Sequence, residues 1–147
     1  MKLVVLGCGF HGRGVAYELA ALPEVSDVLV ADRDAALAQK TAARIGASWA
    51  HVDVQDNTRL REVIRGASLV FNAVGPYHYR QNGERVVQAA IDERVACVDM
   101  NDDHEVAESL LLDASWNEDA RRAGVAIITG SGIAPGMTGM LAKLGYE

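Results

Sequence analysis

The chain has 147 residues, half of them hydrophobic, a net charge of −6 and no basic run. This size predicts one globular domain with a core that needs no disulfide or metal staple, and the acidic balance excludes nucleic acid and anionic membranes as expected partners. Cys8 and Cys97 match no metal or redox spacing, and His104 stands in a charged run without a second histidine at ligand spacing, so no metal site is predicted. No apolar run approaches the length of a bilayer span or a signal-peptide core. The two widely separated cysteines fit a reducing compartment, and we expect a cytoplasmic protein.

Strand and helix signals alternate along the chain. Strands are predicted at residues 2–6, 27–32, 48–54, 68–76, 95–100 and 125–129. Helices are predicted at residues 11–22, 34–45, 56–66, 83–93 and 115–123, with a partly helical segment at 101–113. Short connections between such elements require right-handed crossovers, so this order predicts an α/β fold with a doubly wound parallel sheet covered on both faces.

A glycine pattern joins the first predicted strand to the first helix. Gly7, Gly9 and Gly12 form G-x-G-x-x-G, with Phe10 and His11 at its variable positions. In such a unit the first glycine allows a tight turn, the second lets a pyrophosphate approach the backbone, and the third lets the helix pack on the strand. The helix N-terminus would then offer free N–H groups to the phosphates. The sequence therefore predicts a Rossmann fold, a single nucleotide-binding domain over residues 1–147; the alternative is that the glycines serve tight packing alone.

Acidic residues at the next two strand ends bear on the choice of cofactor. Asp32 can accept hydrogen bonds from both ribose hydroxyls of NAD and would repel a 2′-phosphate, whereas the adjacent Arg33 could pair with that phosphate. We predict NAD, with NADP as the alternative; FAD or S-adenosylmethionine would use a similar turn. Asp53 and Val54 end the third predicted strand beside the adenine, where the Asp53 carboxylate could accept from the amino group or only cap the next helix.

Further candidates follow strand ends in the second half of the chain, where open α/β sheets bind ligands. A turn at Gly75-Pro76 is expected to bring Tyr77 over the cleft. A second glycine-rich turn precedes a final helix, whose N–H groups could hold the nicotinamide side of the cofactor or a substrate carboxylate. The candidates for this side of the cofactor are Asn72, Ala73, Val74, Gly75, Gly132 and Gly136.

Three motifs of the second half resemble the NAD(P)-binding domain of the saccharopine dehydrogenase family, which includes saccharopine reductases, lysine 6-dehydrogenases and carboxynorspermidine dehydrogenases. They are VGPY at 74–77, CVDMND at 97–102 and GSGIAPGM at 130–137. The resemblance covers essentially the whole chain. It implies the cofactor half of an oxidoreductase that transfers a hydride between NAD(P) and the C–N bond of an amino acid, or of an imine made from one.

The resemblance also implies catalytic candidates. Asp99, at the family's VD position, would take a proton from a substrate ammonium or from an attacking water, or else only cap the turn at the strand end. Tyr77 is a second catalytic candidate, although it and its neighbour His78 could equally be loop side chains.

Full members of the family are considerably longer and carry a substrate and dimerisation domain. The resemblance therefore implies the N-terminal part of a longer, homodimeric enzyme with a small-molecule amino-acid substrate, and the last residues, MLAKLGYE, suggest an interrupted helix. The alternative is a non-catalytic module that senses NAD(H), since Rossmann domains also serve that purpose. The segment that follows residue 147 would discriminate between the two.

Overall fold

A computed structural model describes residues 1–78 and 81–146 of the chain. Its strands are β1 (Lys2–Leu6), β2 (Asp27–Asp32), β3 (Ser48–His51), β4 (Leu69–Asn72), β5 (Ala96–Asp99) and β6 (Ile127–Ile128). Its helices are α1 (Phe10–Ala20), α2 (Ala35–Ile45), α3 (Asn57–Ile64), α4 (Asn82–Asp92), α5 (His104–Leu112), α6 (Ala114–Ala123) and α7 (Met137–Tyr146).

The six strands form one parallel sheet in the order β3-β2-β1-β4-β5-β6. β1 lies in the middle, and its last residue, Leu6, pairs with Ala31 of β2 on one side and with Asn72 of β4 on the other. The strand order reverses between β1 and β4, which is where doubly wound sheets open a crevice for a dinucleotide. The predicted Rossmann fold is confirmed.

The two faces of the sheet bury separate apolar clusters. Val5 of β1 packs with Ala16 of α1 and Ala38 of α2 on one face, whereas Val4 packs with Leu60 of α3 and Val86 of α4 on the other. Because side chains alternate along a strand, a run such as Leu3–Leu6 can be apolar throughout only when both faces are covered. The helices packed on both faces thus stabilise the sheet that positions the carboxyl ends of the strands.

Most predicted boundaries are confirmed to within two residues, and local side chains account for them. The Asp34 carboxylate accepts from Leu37 N (3.0 Å) at the start of α2, and Gly46 ends that helix in the left-handed conformation. The Asp56 carboxylate accepts from Arg59 N (3.0 Å) at the start of α3. The uncertain segment 101–113 contains a helix, α5, whose N-cap is Asp103.

Two predicted edge strands are longer than the observed ones, and the central strand predicted at 68–76 ends at Asn72. The strand predicted at 48–54 ends at His51, since β3 pairs only with β2 and a turn follows in which Asp53 O accepts from Asp56 N (2.9 Å). The strand predicted at 125–129 is reduced to Ile127–Ile128, which pair with β5 alone. Both are edge strands, where a single partner limits the length of the ladder.

The last helix differs from the others in its surroundings. α7 has no buried residue, and the apolar side chains of Met140, Leu141 and Leu144 are exposed. None of the helices in the described residues is both long enough and apolar enough to span a bilayer.

Candidate nucleotide-binding site

A cleft of about 890 Å³ opens at the carboxyl ends of the central strands, over the point where the strand order reverses. It is lined by the glycine turn and the start of α1, by the ends of β2 and β3, and by the loop after β4. The lining residues are Gly7, Gly9, Phe10, His11, Gly12, Ala31, Asp32, Arg33, Asp34, Leu37, Val52, Asp53, Val54, Gln55, Ala73, Val74, Gly75, Pro76 and Asn82. Of the predicted cofactor residues, Asn72, Gly132 and Gly136 do not line it.

The three glycines of the first turn have different surroundings. Gly7 has a φ of +89°, and an alanine Cβ there would lie 2.7 Å from Ala73 O. At Gly12 a Cβ would lie 1.8 Å from Gly7 O, so the close approach of α1 to the turn requires a glycine. At Gly9 a Cβ would meet no heavy atom within 4 Å. The first and third glycines thus serve packing. The second, which lines the cleft, has room for a closely approaching ligand, as a pyrophosphate requires.

The N-terminus of α1 faces the cleft without a side-chain cap. Gly9 is its N-cap residue, and the first turn contains no acidic side chain. The Phe10 side chain is 82% exposed at this edge, and His11 is exposed beside it. The N–H groups and the positive end of the helix are therefore available to an anion, and the residues present fit the phosphates of a dinucleotide.

Asp32 connects the glycine turn to the end of β2. Its Oδ2 accepts from Cys8 N (2.6 Å), and its Oδ1 accepts from Asp34 N (2.8 Å). Each oxygen retains a lone pair for a further donor. Burial, and then the Asp32 charge, raise the pKa of the Cys8 thiol to about 11, so Cys8 stays a protonated, buried thiol. Arg33, next to Asp32, is exposed and lines the same end of the cleft.

A network of amides forms the opposite wall and was not predicted. Gln55 Nε2 donates to Asn82 Oδ1 (2.7 Å), and Asn82 Nδ2 donates to Pro76 O (3.1 Å). Gln55 N in turn donates to Asp53 Oδ1 (2.9 Å). The network ties the loop after β3 to the loop after β4. Asn82 is buried at the start of α4. Its place at a predicted helix start was the one sequence signal that could have indicated its part in this network.

With this geometry in place, comparison with known proteins identifies the family. The family model described as "Saccharopine dehydrogenase NADP binding domain" matches residues 3–128. The chain belongs to this family. The resemblance seen in the three sequence motifs is thereby confirmed.

Individual relatives agree with this assignment. The chain is 32% identical to the saccharopine dehydrogenase-like oxidoreductase of Rattus norvegicus, over 89% of this chain and 34% of the relative. It is 26% identical to the carboxyaminopropylagmatine dehydrogenase of Synechocystis sp., over 95% of this chain and 36% of the relative. Among solved structures, apo saccharopine dehydrogenase (L-Glu forming) from Saccharomyces cerevisiae superposes with a TM-score of 0.80 at 26% identity, covering 96% of this chain and 29% of that one. The chain thus spans about a third of the length of these relatives.

In this NADP binding domain, the predicted placement of Tyr77 over the cleft is wrong. The Tyr77 side chain is only 6% exposed and packs in the core, where its hydroxyl donates to Asn72 O (2.8 Å). Burial, and then the nearby Asp99 carboxylate, raise the pKa of Tyr77 above its ordinary value. The hydroxyl is therefore held as a structural donor beneath the β4 loop, and a catalytic role for it stays a prediction.

Asn72 also lies beneath the cleft rather than in its wall. Its side chain is fully buried, and its Oδ1 accepts from Val74 N (3.0 Å). This hydrogen bond shapes the turn that presents Ala73, Val74 and Gly75 to the cleft. Asn72 thus positions the residues predicted to contact the nicotinamide side and does not line the cleft itself.

Asp99 is fully buried at the end of β5, in register with Asn72. Its Oδ1 accepts from Asn101 N (3.0 Å), Thr129 Oγ1 (2.8 Å) and Gly130 N (2.9 Å). Its Oδ2 has no hydrogen-bond partner among the described residues. The carboxylate therefore ties the loop after β6 to the end of β5, as in the turn-capping alternative, and its catalytic role stays a prediction.

The second glycine-rich turn is separate from the cleft. Gly132 N donates to Pro135 O (3.1 Å), and Met137 N donates back to Gly132 O (3.0 Å). Gly136 has a φ of +118°, and a Cβ there would lie 2.3 Å from Gly132 O. These glycines are required by the fold of their own turn, and contact with the cofactor stays a prediction. Among the described residues, no group of three histidine, cysteine or acidic side chains could hold a metal ion.

Proposed function

We propose that this domain holds the dinucleotide of a longer oxidoreductase, which transfers a hydride between NAD(P) and the C–N bond of an amino acid or of an imine made from one. The observation that carries the proposal is the open space at Gly9, directly before the uncapped N-terminus of α1 and inside the cleft. The printed names of the relatives, a carboxyaminopropylagmatine dehydrogenase and saccharopine dehydrogenases, support the class of reaction.

Different residues of the cleft would bind different parts of the dinucleotide. The N–H groups at Gly9 and the first turn of α1 would hold the pyrophosphate. Asp32 would accept from the adenosine ribose, and Asp53 and Val54, which line the same cleft, would contact the adenine. The loop after β4, from Ala73 to Gly75, would lie against the nicotinamide half. The chemistry that NAD(P) supplies when bound is hydride transfer.

We propose a preference for NAD over NADP. The Asp32 carboxylate already accepts from two backbone N–H groups, and its remaining lone pairs suit ribose hydroxyls better than a 2′-phosphate. Arg33 is the residue that would favour NADP, because its exposed guanidinium lies next to Asp32 at the same end of the cleft. Titration of the chain with NADH and, separately, NADPH compares the two directly.

Further parts of the proposal concern the full-length protein. On the family resemblance we propose a substrate domain and a homodimer for it; the chain spans about a third of the length of these relatives. A reducing compartment such as the cytoplasm is consistent with Cys8 and Cys97, which are both free and buried. Size-exclusion chromatography with light scattering on the full-length protein would measure the oligomeric state.

Two measurements test the proposed function. Calorimetric titration of the chain with NADH should give saturable binding that Gly9→Ala weakens at least tenfold. Assays of the full-length protein with lysine, saccharopine and related amines should then give NAD(P)-dependent turnover. Tight NADH binding without turnover on any such amine would favour the sensing module instead, and absence of binding by the folded chain would refute the cofactor site.

A further inference from the structure

A histidine–aspartate pair lies at the carboxyl edge of the sheet, outside the cleft lining. His78 Nδ1 and Asp103 Oδ2 are in hydrogen-bond contact, although the residues are 25 positions apart. The His78 side chain is 60% exposed, whereas that of Asp103 is 17% exposed. Within the described part of the chain, the other ring nitrogen of His78 has no hydrogen-bond partner. An imidazole is thus held at one nitrogen and presented to solvent at the other.

The aspartate of this pair is itself fixed by the backbone. Asp103 Oδ1 accepts from Glu105 N (3.1 Å) and Val106 N (3.4 Å) at the start of α5. Asp103 N donates to Asn101 Oδ1 (2.9 Å). Burial acts to raise the pKa of Asp103, but the hydrogen bonds from His78 and from these N–H groups outweigh it and lower that pKa. An ionised carboxylate can only accept, so Nδ1 of His78 must be the donor, and Nε2 is the basic nitrogen of the neutral ring.

The pair lies next to the nicotinamide half of the proposed cofactor site. It joins the loops that follow β4 and β5, the strands on that side of the strand-order reversal. Pro76, which lines the cleft, precedes His78 by two residues, a stretch of chain that spans at most about 7 Å. Tyr77, between them, is turned into the core. Of Tyr77 and His78, the two titratable residues of this loop that the structure describes, His78 is therefore the one exposed near the end of the cleft.

We propose that His78 exchanges a proton with the nitrogen of the substrate, and that Asp103 is its positioning residue. This role rests on the proposed amine–imine chemistry. In amine oxidation, an N–H bond of the substrate ammonium breaks and an Nε2–H bond forms. The freed nitrogen lone pair can then form the C=N bond as a hydride leaves the adjacent carbon for NAD(P). The imidazolium charge is stabilised by the Asp103 carboxylate. In the reductive direction, the same nitrogen returns the proton to the product amine.

The first test is spectroscopic and needs no substrate. Long-range ¹H–¹⁵N correlation spectra of the chain above neutral pH should show His78 as the Nδ1–H tautomer. Exposed His104, the first residue of α5, is the internal control and should show the Nε2–H form usual in water. Asp103→Asn retains a good N-cap residue but removes the carboxylate, and it should shift His78 toward the Nε2–H form. An Nε2–H tautomer in the unmodified chain would overturn the pairing.

The second test measures turnover of the full-length protein. His78→Ala should lower kcat about 100-fold or more while the Kd for NADH, measured by calorimetry, changes less than twofold. Added imidazole should restore part of the lost turnover, because the position is exposed. Asp103→Asn should lower kcat by a smaller factor than His78→Ala, because the imidazole remains, and His104→Ala should leave kcat unchanged.

The outcomes separate this inference from the function on which it rests. If the unmodified protein turns over an amine and His78→Ala stays within threefold of it, the role of His78 is refuted and the proposed reaction survives. If the unmodified protein binds NADH but turns over no amine or imine, the proposed reaction is refuted, and the proton-transfer role with it.

Discussion

Gly9→Ala separates cofactor binding from folding, because position 9 tolerates a Cβ in every respect except the proposed phosphate contact. Gly9 has a φ of −65° and a ψ of −167°, which alanine adopts without strain, and a Cβ there meets no heavy atom within 4 Å. Alanine is a poorer N-cap residue than glycine, by about 0.5–1 kcal/mol, but it lowers the entropy of the unfolded chain by a similar amount. The free energy of unfolding should therefore change by less than about 1 kcal/mol.

The same Cβ would project into the space left for the pyrophosphate. We expect the affinity for NADH to fall at least about tenfold, or 1.4 kcal/mol, in calorimetric titrations of the chain. Urea denaturation followed by the fluorescence of Trp49 and Trp116 would measure stability on the same samples. A Gly9→Ala variant that is folded and binds NADH as tightly as the unmodified chain would refute the assignment of this space to the cofactor.

Two other glycines of α1 supply matched controls. Gly14 is exposed, and a Cβ there also meets nothing within 4 Å; Gly14→Ala should stabilise the helix by about 0.5–1 kcal/mol and leave binding unchanged. Gly12→Ala would place its Cβ 1.8 Å from Gly7 O, and this overpacking should lower the free energy of unfolding by about 3 kcal/mol. The three variants thus separate loss of the fold from loss of the site.

Substitutions at three further positions have defined expectations. Asp32→Asn removes the negative charge of the side chain that accepts from Cys8 N. We expect the ratio of NADH to NADPH affinity to fall about tenfold. We also expect the free energy of unfolding to fall by about 1 kcal/mol. Hydrogen bonds from Arg65 and Arg61 lower the pKa of Glu93 to about 2. This carboxylate therefore stabilises the fold above its ordinary pKa of about 4.5 and loses that contribution as the pH falls toward 2. Glu93→Gln should cost about 1 kcal/mol at pH 6. Asp99→Ala leaves the Thr129 hydroxyl and two backbone N–H groups without their acceptor and should cost about 3 kcal/mol or more, whereas Asp99→Asn retains the accepting oxygen and should cost less.

Each of these expectations has a result that contradicts it. For Asp32→Asn it is an unchanged cofactor ratio in paired titrations. For Glu93→Gln it is a stability difference, measured by urea denaturation, that is as large at pH 3 as at pH 6. For Asp99 it is an alanine variant as stable as the asparagine variant. Full stability of Asp99→Asn combined with loss of turnover in the full-length protein would instead support the catalytic role predicted from the sequence.

The elements that a local pattern determines could be predicted from the sequence. Gly7, Gly9 and Gly12 stand at fixed spacing between a strand and a helix, and Asp32 ends the next strand, so the switch point of the sheet and one wall of the cleft follow from about thirty residues. The opposite wall could not be predicted in this way. Its key contact joins Gln55, in the loop after β3, to Asn82, 27 positions away at the start of α4, and no periodicity indicates such a pair.

Tyr77 illustrates why the path of a loop is harder to predict than its ends. A Gly-Pro turn correctly indicates where β4 has ended, but the direction of the next side chain depends on which partner is within reach. Here the Tyr77 hydroxyl donates to Asn72 O, a backbone acceptor at the end of β4. Tyr77 is buried, whereas the next residue, His78, is exposed, so of these two neighbouring side chains His78 is the one that can meet a substrate.

The conformation of the acidic run after β5 is also determined by hydrogen bonds, which its charge alone does not indicate. Asp99 Oδ1 accepts from Asn101 N, Asn101 Oδ1 accepts from Asp103 N, and Asp103 Oδ1 accepts from Glu105 N, each two residues further along the chain. Three successive turns of this kind lead from the buried end of β5 to the N-cap of α5, and the last of them holds His78. A run that composition assigns to a solvated surface is therefore a rigid connection between core and surface. Since Asp99 anchors the first turn, a substitution there should disturb the tautomer of His78 without touching it, and the same NMR spectra would detect this.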